Sequence, residues 1–180
     1  MTRYTKPVAG QYAEYFEVYL EHLAAEDRDA LVLMQEQGTQ VFKGLMELSD
    51  QQASHRYVPE KWSVREVIGH LIDTERLFAF RALWIARGET NVQPGMDENL
   101  WAANSNAGAR ELQDLGEEYQ TMRAGHLQLF SSFDQEAVNN TGLCDGVPTM
   151  VNSFPWLVAA HELHHLLVLR DRYGVDFLAG

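Results

Sequence analysis

The sequence is short of cysteine, of positive charge and of long apolar runs, and each shortage removes a class of function. Cys144 is the single cysteine among 180 residues, so no internal disulfide can form. Nothing near it in sequence lowers a thiol pKa, which makes it a poor nucleophile. Lys and Arg number 14 against 26 Asp and Glu, a formal charge of −12 at pH 7. A surface that negative repels phosphate backbones instead of releasing their counterions, so nucleic acid is not an expected partner. No apolar stretch approaches the roughly 18 residues of a membrane span, and the first residues, MTRYTKPVAG, lack the apolar core of a secretory signal. The expectation is a cytoplasmic protein with no membrane partner. No internal repeat, low-complexity tract or Pro/Gly/Ser-rich linker divides the chain.

What the sequence has is apolar periodicity of the helical kind, with 46% hydrophobic residues to fill one sizeable core. Residues 1–26 read as an N-terminal arm, in which Gly10 to Leu20 carries Tyr12, Tyr15, Phe16 and Tyr19 as a short helix or extended stretch on the body. Residues 27–174 read as the bundle. A first helix starts with Asp27 as N-cap and carries Leu31, Met34, Val41, Phe42, Leu45 and Met46 to Leu48. Ser63-Val64-Arg65-Glu66 has the form of a capping box, which opens a second helix running to Arg87 and ended by Gly88. Glu89 to Gly108 is a long loop with one turn at Glu98 to Ala102; Asp97 caps that turn or, alternatively, reaches over a metal, and Trp101 plugs the bundle end in preference to walling a substrate pocket. A third helix spans Ala109 to Phe133. Asn139 to Val151, dense in Gly, Asn and Asp, is an irregular connection or small hairpin. The fourth helix begins near Ser153, with Pro155 in its first turn, and ends before Gly174. The fold class that follows is all-α: a four-helix bundle with a long loop between the second and third helices.

Three of the seven histidines fit one geometry. His161 and His165 are four residues apart, so they stack on one helix face with Leu157, Val158 and Val168 and point inward. His70 shares an inward stripe with Val67, Thr74, Leu77, Arg81 and Trp84. It lies seven residues after Ser63, while His161 and His165 lie eight and twelve after Ser153. If the second and fourth helices run parallel, the three imidazoles meet at one level and form a metal site with an open coordination position. His161 with His164, at i and i+3, is the weaker alternative pair. His22, His55 and His126 have no partner at useful spacing. The same run matches His-Glu-x-x-His of zinc peptidases. That reading is disfavoured, because only fifteen residues follow His165 and none is His or Glu. Arg81, some 16 Å along the helix from His70, reads as half of a buried ion pair.

Trp62-Ser63-Val64-Arg65-Glu66-Val67-Ile68-Gly69-His70-Leu71-Ile72-Asp73-Thr74-Glu75-Arg76, the following Phe80-Arg81-Ala82, Asp97-Glu98-Asn99-Leu100-Trp101, and Ala160-His161-Glu162-Leu163-His164-His165-Leu166 together resemble the DinB/YfiT-like metalloenzymes. The resemblance covers about Asp27 to Tyr173. It implies a variant four-helix bundle holding a divalent ion, zinc or nickel, through His70, His161 and His165. It also implies an S-transferase that uses a low-molecular-weight thiol such as bacillithiol, mycothiol or glutathione against a small-molecule electrophile, and a homodimer. A metal-dependent hydrolase and a noncatalytic metal-binding stress-response protein are the alternatives. Asp73, one turn from His70, and Glu162, beside His161, are the candidate catalytic carboxylates.

Overall fold

The computed structural model describes residues 4–178. Short helix α1, Glu17–Leu20, lies between two single 3-10 turns, Glu14–Phe16 and Glu21–Leu23. The first long helix, α2, is Ala30–Glu47, and its cap is Asp29, which accepts the Leu31 N–H. Asp27 does not cap, because the helix starts at Ala30 and Asp29 is the extended residue just before it. After α3, Asp50–Ala53, comes α4, Val64–Ala86, where both bonds of the Ser63–Glu66 capping box form. Gly88 follows at φ +81°, the left-handed backbone that ends a helix. In the long loop, α5 is Glu98–Asn104, capped by Asp97. Helix α6, Leu112–Ser132, begins three residues later than its pattern suggests, because Ala107–Ala109 forms a separate 3-10 turn. Short α7, Gln135–Asn139, precedes an antiparallel hairpin of β1, Thr141–Cys144, and β2, Val147–Met150. Asp145 and Gly146 at its tip both have positive φ, as a two-residue Asp-Gly turn requires. Helix α8, Ser153–Val168, runs on through a π-helical turn, Leu169–Tyr173, to Gly174.

The four long helices do not alternate in direction. Gly38 lies against Arg123 and Gly116 against Met46, so α2 and α6 are antiparallel. Arg65 bonds Arg110 and Glu75 bonds Arg123, so α4 and α6 are parallel. Gln37 donates to the Ala159 carbonyl and Gly44 lies against Phe177, so α2 and α8 are parallel. Phe78 meets Phe154 while Trp62 meets Tyr173, so α4 and α8 are antiparallel. The order is up, down, down, up. This corrects the expectation that the second and fourth helices run parallel: the long loop after α4 carries the chain back to the end where α4 began.

Two apolar clusters fill the bundle. One holds Met34, Phe78, Phe130, Phe154 and Leu157, and the other Val41, Ile68, Ile72, Leu115 and Leu166. The N-terminal arm belongs to the first cluster through Tyr4, Ala13, Phe16 and Leu23. Tyr4 donates its hydroxyl to the Phe130 carbonyl, and the Trp156 indole donates to the Tyr4 carbonyl. Among the described residues, no helix is long and apolar enough to cross a membrane.

Candidate metal centre

On the inner face of α4, His70 meets His161 and His165 of α8. The Nε2 atoms of His70 and His161 are 3.1 Å apart, as are those of His165 and His161, and the three ligand atoms lie within 4.8 Å of one another. Metal–nitrogen bonds of 2.0–2.1 Å at tetrahedral angles place neighbouring nitrogens about 3.3 Å apart, so the spacing suits three corners of a tetrahedron around one ion. The Thr74 hydroxyl lies 3.4 Å from Nδ1 of His70 and can accept a hydrogen bond from it, in the tautomer whose Nε2 lone pair faces the other rings. Burial pushes His70 down to about 4, and burial with the neighbouring rings pushes His165 down to about 3 and His161 well below the usual range. All three rings are therefore neutral at pH 7, the state a ligand needs. They meet although α4 and α8 are antiparallel, because His161 and His165 sit in the second half of α8. Equal depth from the two N-termini is thus not what joins them, and the positive end of α8 is remote from the site. His164 turns outward, with its Nδ1 3.3 Å from Nε2 of His22 and its ring on Tyr19, so the pair is His161 with His165.

A cavity of about 370 Å³ opens over the three rings. Tyr15, Phe16 and Tyr19 of the arm form one wall, and Thr74, Leu77, Phe78 and Arg81 of α4 another. Trp62, whose ring is 4.9 Å from that of His70, Met96 and Glu98 of the long loop, and Asp145 of the hairpin tip complete it. Sequence reasoning missed the arm as part of the site. Its four aromatics in eight residues were the available signal, since that much ring surface needs a place to pack. Trp101 lines no part of the cavity, so it does not wall the pocket, and at 40% exposed it is no buried plug either. Arg81 is buried as expected, but it makes no ion pair among the described residues and donates instead to the Pro94 carbonyl at 2.6 Å.

A family model of the DinB superfamily matches residues 31–169. The chain belongs to the DinB superfamily. Its fold is also that of YfiT from Bacillus subtilis, a solved structure described as a probable metal-dependent hydrolase with an unusual four-helix bundle topology. The two agree with a TM-score of 0.70 at 16% identity, over 96% of this chain and 95% of that one. No curated protein is significantly similar to the chain in sequence.

In this DinB-superfamily chain the structure separates the two candidate carboxylates from the three histidines. Glu162 projects around α8 into the bundle, where its carboxylate accepts from the Tyr119 hydroxyl and the Arg123 guanidinium, each at 2.6 Å. Burial lifts its pKa although Arg123 works against the rise. Glu75 shares Arg123 at 2.7 Å and bonds Nδ1 of His126 at 3.0 Å; burial opposes its ionisation, but Arg123 and His126 together hold it below the usual carboxylate range. Asp73 is half-buried near Arg76, Glu118 and Arg110, with its pKa raised chiefly by burial. Neither Asp73 nor Glu162 lines the cavity. Periodicity could not reveal this network, because each member reads as one polar residue on an otherwise apolar face. Cys144 is buried in β1, and burial pushes its thiol up, away from nucleophilic use.

Proposed function

We propose that the protein is a metal-dependent S-transferase that joins a low-molecular-weight thiol to a small organic electrophile. The observation that carries this reading is the convergence of three neutral imidazoles on the floor of an aromatic cavity with neither candidate carboxylate beside them. A zinc or nickel ion held by His70, His161 and His165 would supply Lewis acidity, which lowers the pKa of a thiol or water that reaches it. The three ligands bring no negative charge, so the site favours an anionic nucleophile such as a thiolate. Thr74 orients the His70 ring by its contact with Nδ1, and Trp62, Phe16, Tyr19 and Phe78 wall the reactants from bulk water. Thiol addition to an electrophile needs no carboxylic acid to protonate an amine leaving group, whereas amide hydrolysis does.

Hydrolysis is the second reading. It is favoured by the description of YfiT, and by a cavity volume that admits one small ester and a water more readily than two organic molecules. The deciding assay incubates metal-loaded protein with monochlorobimane and a panel of bacillithiol, mycothiol, glutathione and coenzyme A, with His161→Ala as control. Metal-dependent conjugation with one thiol supports the transferase. Thiol consumption no faster than the control, together with metal-dependent ester hydrolysis, puts the hydrolase in its place. Metal binding with neither activity leaves a noncatalytic metal-binding protein.

A further inference from the structure

Away from the histidines the cavity wall carries a buried cation with too few partners. Arg81 lies eleven residues from His70 on α4, about 16 Å by helical rise. It is 5% exposed, has no carboxylate within ion-pair distance among the described residues, and its Nε is buried without a hydrogen-bond partner. Its described hydrogen bond runs from Nη2 to the Pro94 carbonyl. That carbonyl is fixed in turn, because the Gln93 N–H donates to Leu143 and the Asp145 N–H donates to Gln93, tying the loop to the hairpin. Glu98 and Asp145 line the same cavity without reaching ion-pair distance of Arg81, and a guanidinium cannot shed its proton, so its burial with no direct partner carboxylate is costly and leaves its free N–H groups for a ligand.

We propose that Arg81 anchors a carboxylate on the substrate, so that the substrate is an elongated monocarboxylate with an apolar middle and its reacting end at the histidines. The proposal rests on the enzyme reading only in calling that molecule a substrate. The aromatic walls between the two ends supply the apolar contact, and the planar fork of Arg81 matches a carboxylate. The Glu98 and Asp145 charges repel any anion and weigh twice as heavily on a dianion such as a phosphate monoester, so a monocarboxylate is the anion that the single Arg81 charge can hold.

The test titrates zinc-loaded protein with 4-phenylbutyrate and with its neutral amide, 4-phenylbutanamide, by calorimetry. The expected result is a preference for the carboxylate on the order of tenfold or more. Arg81→Gln should abolish it and Arg81→Lys should keep part of it, with no change in the visible spectrum of the cobalt-substituted protein. Equal affinity for the two probes overturns the proposal. So does a preference that survives in Arg81→Gln while the cobalt bands move, which places the carboxylate on the ion. If Arg81→Gln does not fold, the wild-type protein decides: equal affinity for the two probes, or cobalt bands that move when the carboxylate is added, overturns the proposal. If the chain holds no zinc, the enzyme reading falls, and the same titrations without zinc still decide the role of Arg81.

Discussion

Arg123 donates to Glu75 and Glu162 at once, with all three side chains buried between the two apolar clusters. Glu162 adjoins His161 in sequence, so the network that holds Glu162 also fixes the rotation of α8 that turns His161 toward His70. Arg123→Met leaves two carboxylates without their counter-charge in the core, and should cost about 3–5 kcal/mol in urea unfolding. His161→Ala should abolish stoichiometric metal binding, whereas His126→Ala, whose ring bonds Glu75, should keep one ion per chain by metal analysis. The three site histidines also link stability to pH. In protein stripped by a chelator, the unfolded chain takes up protons as the pH falls below the ordinary histidine value of 6.5, while folded His70 and His165 resist until about 4 and about 3. Their contribution is therefore complete above pH 6.5 and is lost as the pH falls through that window. Urea midpoints should drop between pH 7 and pH 5, and less so in His70→Ala.

Element boundaries were legible where one residue type settles a local bond. Ser63 and Glu66 announce the start of α4 because a capping box needs only four residues of sequence. Removing the hydroxyl by Ser63→Ala should cost about 1 kcal/mol in thermal or urea unfolding. The spacing of His161 and His165 was readable for the same reason, as four residues bring two side chains to one face of any helix. Helix direction is a different kind of fact. It depends on where a long loop delivers the next element, and the loop after α4 has no periodicity from which to read its path. One close approach records the outcome: a Cβ on Gly69 would come within 2.5 Å of the Ala107 side chain, so α4 and the end of that loop touch where only glycine fits. Gly69→Ala should destabilise by about 1–3 kcal/mol through overpacking, and thermal unfolding checks it.

At the scale of the whole molecule, the site is a joint product of distant parts. The arm, which reads in sequence as an appendage on the body, places Phe16 5.5 Å from Phe78 and contributes three aromatics to the cavity wall. Phe16→Ala should weaken packing by about 3–5 kcal/mol, and should raise KM of whatever substrate the thiol and ester assays reveal more than it lowers kcat. The placement of the three histidines on α4 and α8 has a consequence in time. His70 and His161 are separated by 91 residues of chain, and His165 comes four later. At a synthesis rate of about 5–20 residues per second, roughly 5–20 s pass between the appearance of the first ligand and the last. A nascent chain in that interval carries one of the three imidazoles that converge on the cavity floor. Any ion held by His70, His161 and His165 would therefore join only after α8 has been made, so the last long helix completes the histidine cluster.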